Sequence, residues 1–184
     1  MNKYDVIIIG AGPSGIFCAY ELMRQKPDMK VLMIEKGRSI EKRQCPKRTT
    51  KVCVGCKPCS ITTGFAGAGA FSDGKLSLSP DVGGTLPEIL GYEKAEELIK
   101  EADNIYLKFG ADEKVYGIDD YEAIERIRAK AIRANLKLIE CPIRHLGTEE
   151  GCKIYSRLQE HLLEEGVEME FGTMVKDIII EDNQ

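Results

Sequence analysis

The sequence predicts an α/β fold built on a parallel sheet. Two short apolar runs, residues 6–9 and 31–34, are typical of strands that are buried on both faces of such a sheet. A glycine-rich turn and a segment with helical spacing, residues 13–25, lie between the two runs. Because strand, glycine turn, helix and strand follow one another within about 30 residues, the start of the chain is predicted to form a βαβ unit.

Length, composition and charge are those of an ordinary globular protein. The 184 residues suffice for one domain, or for one domain with a small insertion. A formal net charge of −4 gives no basic footprint, so nucleic acid is not an expected partner. The uncharged run at residues 6–20 is shorter than the roughly 20 residues of a membrane span, and glycine and proline interrupt it. We therefore expect a cytoplasmic protein that does not enter a membrane.

Beyond the βαβ unit, irregular and periodic stretches alternate. Regular periodicity disappears over residues 38–84, and an irregular stretch of this length is usually functional or disordered. Helical spacing then recurs at residues 95–109, 124–131 and 154–162. Asp119 or Asp120 is predicted to cap the second of these helices, and Gly166 to close the third. Extended structure is predicted for residues 137–145, 167–171 and 174–180.

These stretches divide the chain into three predicted segments. Residues 1–85 contain the βαβ unit and the irregular loop that is rich in cysteine and glycine. Residues 86–149 form a helical insertion, and residues 150–184 supply a helix and strands that return to the first segment. The prediction is thus a parallel-sheet domain that an insertion interrupts.

The turn after the first strand carries the pattern Gly-x-Gly-x-x-Gly at Gly10, Gly12 and Gly15. In a Rossmann-like unit the first glycine permits the tight turn and the second lets the backbone approach a pyrophosphate. The third allows close packing of helix on strand. The phosphates then lie on free N–H groups at the helix start, where the helix dipole favours negative charge. The alternative is a glycine turn that binds no ligand.

Glu35 closes the second strand, 20 residues after Gly15. An acidic side chain at this position accepts hydrogen bonds from ribose hydroxyls and disfavours the 2′-phosphate of NADP. The candidate dinucleotide-binding residues of the unit are therefore Gly10, Gly12, Pro13, Ser14, Gly15, Glu35 and Lys36.

Two segments resemble known flavoproteins. Residues 6–35 resemble the ADP-binding fingerprint of FAD-dependent flavoproteins. Residues 63–76, Thr-Gly-Phe-Ala-Gly-Ala-Gly-Ala-Phe-Ser-Asp-Gly-Lys-Leu, resemble a glycine-rich segment of a family of FAD-dependent dehydrogenases, with Ala66 in place of a glycine; residues 144–148 resemble a further family segment. The resemblance implies that residues 63–76 lie against the flavin, and a flexible loop is the alternative. The candidate contacts there are Gly67, Gly69, Ser72 and Lys75.

This resemblance implies a Rossmann-like FAD-binding fold and an FAD-dependent oxidoreductase as the function. The implied cofactor is FAD, and the implied partners are a small-molecule substrate and an electron donor or acceptor. Such proteins return late in the chain with a strand and a Gly-Asp segment, which nothing after Ile180 supplies, so we expect an incomplete flavoprotein domain. An NAD-binding dehydrogenase module and a non-enzymatic thiolate module for metal binding or electron transfer are the alternatives.

Four of the seven cysteines form a candidate metal site. Cys53, Cys56 and Cys59 are separated by two-residue gaps, and Cys45 lies upstream. In a reducing compartment, thiolates at this spacing are typical of iron–sulfur and structural zinc centres. Free or redox-active thiols in an ordered loop are the alternative. The remaining cysteines, Cys18, Cys141 and Cys152, are predicted to be packing residues.

The chain contains two histidines, which is too few for a site with three histidine ligands. His145, beside Arg144, is a candidate contact for an anionic substrate or the flavin, or else a surface residue, whereas His161 falls near an apolar stripe and is predicted to be structural. No residue is identified as a catalytic acid or base.

Overall fold

A computed structural model of the chain describes residues 3–180. It contains two compact units, Met1–Ser72 with Gly151–Gln184, and Asp73–Glu150. The elements in chain order are β1 (Val6–Ile9), α1 (Pro13–Gln25), β2 (Val31–Glu35), α2 (Lys47–Thr50), β3 (Lys75–Ser77), α3 (Leu86–Leu90), α4 (Tyr92–Lys108), β4 (Val115–Tyr116), α5 (Tyr121–Arg133), β5 (Ile143–His145), α6 (Thr148–Glu164) and β6 (Glu168–Phe171). Short 3-10 turns occur at Ile40–Lys42 and Gly67–Phe71.

The first unit is built on the predicted parallel sheet. Its strands lie in the order β1-β2-β6, and both pairings are parallel, with Val6 opposite Val31 and Leu32 opposite Glu168. Because β2 lies between the other two strands, its carboxyl end at Glu35 sits at the centre of the sheet edge. The prediction of an α/β fold with a parallel sheet is confirmed.

Helix α1 has the predicted bounds for local reasons. Gly12 is the extended residue at its N-cap, and Pro13 stands at the first helical position, where a missing N–H costs nothing. Ile16, Ala19, Tyr20 and Met23 follow one another at helical spacing and form the buried face. This face packs on β1 and β2, so the sequence places the amino terminus of α1 at the edge where the strands end.

Strand β1 differs from the prediction of a strand buried on both faces. Ile8 is 8% exposed, whereas Ile7 and Ile9 are each 54% exposed. Ile8 faces α1, since a Cβ added to Gly15 would lie 3.2 Å from its Cγ2 atom. Within residues 3–180, β1 pairs only with β2, and its second face, which carries Ile7 and Ile9, is about half exposed.

Helix α6 completes the packing of the first unit from Gly151 onward. Ile154, Leu158 and Leu162 form the predicted buried stripe. Gly166 ends the helical region with a positive φ of 95°, and its N–H donates to the carbonyl oxygen of Leu163. The prediction for this helix and its glycine terminator is confirmed.

The predicted strand at residues 174–180 is wrong. After β6 the chain turns at Gly172, and no strand follows in the described residues. Ile178, Ile179 and Ile180 are all exposed. A run of β-branched residues favours extended backbone, but a strand also needs ladder hydrogen bonds to a neighbouring strand, and residues 174–180 form no such ladder within residues 3–180.

The second unit combines the predicted helices with an antiparallel sheet in the order β3-β5-β4. Arg144 on β5 donates to both carboxylate oxygens of Asp103 on α4, at 2.5 and 2.8 Å, and this buried pair raises the pKa of the guanidinium. Of the predicted extended segment 137–145, only β5 forms a strand. Asp120 caps α5, because its side chain accepts a hydrogen bond from the N–H of Ala123.

Among residues 3–180, no helix is both long and apolar enough to cross a membrane.

Candidate functional site

The first glycine turn, residues 10–15, leaves open space at the amino end of α1. Gly10 has a φ of +99°, which favours glycine, and its N–H donates to the carbonyl oxygen of Ile34 on β2. A Cβ added to Gly10 or Gly12 would meet nothing within 4 Å, whereas one added to Gly15 would lie 2.1 Å from the carbonyl oxygen of Gly10. Gly15 therefore allows helix and turn to touch, and Gly12 keeps the approach to the backbone clear.

The amino end of α1 carries no side-chain cap within the part of the chain that the structure describes. The first N–H groups of a helix have no partner inside the helix. Here a cap residue with a hydroxyl or carboxylate is replaced by Gly12, and Pro13 and Ser14 are exposed. The helix start therefore offers backbone donors and the positive end of its dipole to an anion.

Glu35 is buried, at 7% exposure, and its carboxylate joins three backbone segments. One oxygen accepts a hydrogen bond from Ala11 N at 2.9 Å. The other accepts from Gly37 N at 2.7 Å and from Gly64 N at 3.1 Å. An ionised carboxylate has about four acceptor positions, so these amides occupy three of them. The predicted ribose-binding residue thus also ties the first glycine turn to the more distant loop.

The second glycine segment, residues 63–76, begins beside the first glycine turn. Ala66 N donates to the carbonyl oxygen of Ala11 at 2.7 Å. Cβ atoms added to Gly67 and Gly69 would lie 3.8 Å from the Cα of Gly12 and 3.9 Å from the Cγ of Pro13, respectively. The structure thus brings together two glycine clusters that are some fifty residues apart in the sequence.

Ser72 and Lys75, the other two predicted contacts of this segment, lie on different units. The Ser72 hydroxyl donates to the carbonyl oxygen of Gly69 at 3.0 Å, which keeps it beside the glycines. Lys75 begins β3 in the second unit, and its ammonium lies 2.8 Å from the carboxylate of Asp73. Hydrogen bonding to Asp73 raises the pKa of Lys75. Lys75 therefore keeps its positive charge and already has an ionic partner.

Arg43 organises the second glycine segment, although the sequence analysis did not single it out. Its side chain is 4% exposed and donates to four carbonyl oxygens at 2.6–3.0 Å, those of Ser60, Ile61, Phe65 and Gly67. The guanidinium also lies 4.6 Å from the centre of the Phe71 ring. Burial lowers the pKa of Arg43, but a guanidinium stays protonated in proteins. An arginine with several carbonyl partners has no local sequence signature, because those partners are set by the fold.

An apolar cavity of about 150 Å³ opens beside Gly10 and Glu35. Ile9 and Ile34 line it from the ends of β1 and β2, together with Lys36. The other wall consists of Thr173, Met174 and Val175. Sequence reasoning missed this last wall. A hydrogen bond between residues far apart in the sequence fixes this wall, because Thr173 N donates to the carbonyl oxygen of Glu35 at 3.1 Å.

The predicted metal site at Cys45, Cys53, Cys56 and Cys59 is not supported. Within residues 3–180, no three or more His, Cys, Asp or Glu side chains converge on a point that would hold a metal ion. Hydrogen bonding from the backbone of Ile61 and Thr62 lowers the pKa of the Cys59 thiol, so this sulfur has partners within its own turn. All four are free thiols, and Cys53 and Cys59 are exposed.

The remaining candidates have structural contacts. The Cys152 thiol donates to the carbonyl oxygen of Ala70 at 2.8 Å, and burial raises its pKa. His161 packs against Tyr20, with 5.6 Å between the ring centres. Arg144 forms its ion pair with Asp103, so it is not available to bind an anion together with the exposed His145 beside it.

Comparisons with known proteins point to the same region. Residues 1–41 match the Thi4 family. A thiamine thiazole synthase from Coprinopsis cinerea is 52% identical over 33 residues, which are 18% of this chain and 10% of that protein. A 3-ketosteroid-Δ4-(5α)-dehydrogenase from Rhodococcus jostii RHA1 has a similar structure, with a TM-score of 0.53 and 18% identity over 97% of this chain and 40% of its own. Glycine oxidase from Bacillus cereus also has a similar structure, with a TM-score of 0.51 and 18% identity. The match covers 98% of this chain and 51% of that protein.

The chain has a Rossmann-like α/β fold with a parallel sheet, which it shares with these two solved structures. At 18% identity the two solved structures show the fold and nothing finer. The family match covers residues 1–41, which contain the βαβ unit, and it concerns that unit alone. The chain spans 40% and 51% of the lengths of the two similar structures.

Proposed function

We propose that this chain binds the ADP part of FAD and forms the amino-terminal part of an FAD-dependent oxidoreductase. The observation that carries the proposal is the apolar cavity that extends from Gly10 to Glu35. A slot with apolar walls suits a planar base, and the adenine of a dinucleotide is the base that a Rossmann-like turn brings to this edge. In this assignment Ile9, Ile34 and Met174 contact the adenine, and Lys36 lies beside it.

The pyrophosphate is assigned to the first glycine turn. Gly10 and Gly12 leave the backbone accessible, and the uncapped amino end of α1 supplies N–H groups and a favourable dipole. Pro13 and Ser14 are exposed at the same end. Gly15 contributes by holding α1 against the turn, which fixes the direction of these donors.

Glu35 is assigned a double task. Three of its acceptor positions hold the amides of Ala11, Gly37 and Gly64, and the fourth is available to a ribose hydroxyl. A second carboxylate-bearing or phosphate-bearing group would be repelled here, which favours a dinucleotide with a free 2′-hydroxyl over NADP. Binding and assembly of the site are therefore coupled through one side chain.

The flavin side of the cofactor is assigned to the second glycine segment. Gly67 and Gly69 lie next to Gly12 and Pro13, so a ligand on the first turn also meets this segment. Ser72 and Lys75 are proposed as further contacts on the strength of the family resemblance. When bound, FAD supplies the two-electron chemistry, and the protein binds and orients it. A small-molecule substrate and an electron donor or acceptor complete the proposed activity.

The test of this assignment is flavin binding by the purified chain. Gly12→Val places a branched side chain where the pyrophosphate approaches, so we expect flavin absorbance and FAD binding by calorimetry to be lost while circular dichroism is retained. Gly151→Ala serves as the control, because a Cβ there also meets nothing within 4 Å and lies on α6. Unchanged FAD affinity in a folded Gly12→Val protein would rule out the turn as the phosphate site.

An NAD-binding module is the second candidate, since the same turn and the same acidic residue suit NAD. Titration of the chain with FAD, NAD and ADP separates the two. We expect FAD to bind more tightly than ADP, because only FAD reaches the second glycine segment, and ADP to compete with it. Tight binding of NAD without any binding of FAD would replace the flavoprotein proposal.

A further inference from the structure

The chain carries a strongly basic segment that its overall charge conceals. Residues 36–57, here called the basic segment, contain eight Lys or Arg residues and one acidic residue, Glu41, a net charge of +7. The whole chain has a net charge of −4. Charges of one sign repel one another in a folded protein, so their concentration in 22 residues calls for a functional reason.

A cavity of about 200 Å³ lies within this segment and is lined by three of its cations, Arg38, Arg43 and Lys57. Gln44, Ser60 and Thr63 add polar groups to the lining. No Asp or Glu lines the cavity. A single water needs about 10–15 Å³ of such space, so an anion of several non-hydrogen atoms fits here.

The described residues offset the positive charge of this cavity only in part, because Glu35 interacts electrostatically with Arg43 but does not line the cavity. Neither Arg38 nor Lys57 has a hydrogen-bond or ion-pair partner for its side chain among residues 3–180. The four hydrogen bonds of Arg43 all go to neutral carbonyl oxygens. Glu41, the acid of the basic segment, bonds to Ser39 and Gln159 instead. Unpaired cations that converge on a cavity are the arrangement expected for an anion site.

We propose that this cavity binds an oxyanion, the phosphate or carboxylate group of a small molecule, as a site separate from the dinucleotide site. The linings of the basic cavity and of the adenine-side cavity share no residue, and Thr63 is the residue of the second glycine segment that lines the basic cavity. Glu35, whose carboxylate holds Gly37 N on the border of the basic cavity, belongs to the adenine-side lining alone. The proposal stands on the charge and geometry of the basic segment and does not rest on the proposed flavin function.

The experiment measures the binding of inorganic phosphate and pyrophosphate to the full chain at low ionic strength, by calorimetry and by the rise in melting temperature. We expect saturable binding that weakens as salt is added. The double variant Arg38→Gln with Lys57→Gln should weaken phosphate binding at least about tenfold, because it removes two charge-assisted interactions. The matched control, Arg126→Gln with Lys137→Gln, removes the same charge from exposed positions of the second unit and should change the affinity less than about twofold.

A further measurement separates this site from the flavin site. With FAD bound at saturation, so that the amino end of α1 is occupied, the chain should still bind phosphate, and the double variant Arg38→Gln with Lys57→Gln should lose that remaining binding. Complete loss of phosphate binding in the FAD-saturated chain would show that the anion belongs to the dinucleotide site and would overturn the proposal, whereas phosphate binding in a chain that does not bind FAD would reject the flavin function alone. The anion-site proposal would also be overturned if phosphate and pyrophosphate fail to bind, or if the two double variants behave alike.

Discussion

At the scale of single residues, Glu35 shows how one carboxylate can serve both assembly and binding. Its position at the end of β2 was predictable, because an acidic residue follows a buried strand about 20 residues after the glycine turn. Its hydrogen bonds to Gly37 and Gly64 were not, because they depend on a loop that returns from far along the chain.

Replacing Glu35 with Gln tests how much its hydrogen bonds to the backbone contribute to the free energy of unfolding. A Gln side chain retains one acceptor oxygen, which can keep Gly37 N and Gly64 N, but its NH₂ group then faces the N–H of Ala11. We expect Glu35→Gln to lower the free energy of unfolding by about 1–3 kcal/mol, the cost of a buried donor left unpaired. Urea denaturation measures the change. Glu170→Gln, an exposed position on β6, is the control and should change stability by under about 0.5 kcal/mol.

Gly15 and Gly12 offer a matched pair of substitutions with opposite expectations. Gly15→Ala would place its Cβ 2.1 Å from the carbonyl oxygen of Gly10, so backbone must move and we expect a loss of about 3 kcal/mol or more of stability. Gly12→Ala meets nothing within 4 Å, so its free energy of unfolding should change by under about 1 kcal/mol. Thermal or urea unfolding of both variants gives the comparison. Equal destabilisation of the two would contradict the packing described for the turn.

At the scale of elements, the sequence predicted the features that depend on residues close together in the chain, such as helix bounds. The bounds of α1 follow from Gly12, Pro13 and the apolar spacing of its buried face, and these bounds are confirmed. The antiparallel sheet β3-β5-β4 was not predicted, because each strand is two or three residues long and its partners lie far away in the sequence. The segment 174–180 was predicted as a strand from its β-branched residues, but it pairs with no strand within residues 3–180.

In the candidate site, too, the sequence predicted the contiguous motif but not the contacts between distant parts of the chain. The first glycine turn is a contiguous motif and could be found from the sequence. Arg43 and the wall formed by residues 173–175 act through backbone carbonyls and amides, which every residue type carries. Such contacts leave no residue-type signature, so only the folded chain reveals them.

The loop that holds the second glycine segment should loosen when Arg43 is removed. Arg43→Met leaves four carbonyl oxygens without their donor, and we expect a loss of at least about 2 kcal/mol, since hydrogen bonds to charged groups contribute roughly 1.5–3 kcal/mol each. Hydrogen exchange at the amides of Phe65 and Ala66 should accelerate. Arg24→Met, which breaks an exposed pair with Glu21, should cost under about 1 kcal/mol and leave these amides protected.

The structure identifies which of Asp119 and Asp120, the two N-cap candidates that the sequence offered, caps α5. Asp120→Ala removes the acceptor of the Ala123 N–H and should lower the free energy of unfolding by about 0.5–2 kcal/mol. Asp119→Ala, one position earlier, is the control and should have a smaller effect. Chemical denaturation monitored by circular dichroism decides between them, and a larger effect at Asp119 would contradict the observed cap.

At the scale of the whole molecule, the fold class was predictable because one βαβ unit determines it. Periodicity and a glycine motif within 35 residues were sufficient for the parallel sheet, and the similar structures confirm it. What the sequence could not show is which faces of that sheet are covered. Four consecutive apolar residues in β1 predicted burial on both sides, whereas alternate residues are exposed.

The two faces of β1 therefore predict a contrast between neighbouring isoleucines. Ile8 packs against α1, so Ile8→Thr exchanges buried apolar surface for a hydroxyl and should cost about 1.5–3 kcal/mol of stability. Ile7 is 54% exposed on the opposite face, so Ile7→Thr should change the free energy of unfolding by under about 1 kcal/mol. Urea denaturation of the two variants measures both values.

An exposed apolar face next to an unpaired strand edge also favours contact between copies of the chain. Ile7→Thr should therefore reduce concentration-dependent light scattering relative to the unmodified chain, even though its stability is hardly changed. Ile8→Thr should not reduce scattering, because its side chain is buried and its main effect is to lower the free energy of unfolding. Equal destabilisation by Ile7→Thr and Ile8→Thr would show that the second face of β1 is covered in solution, and it would contradict this prediction.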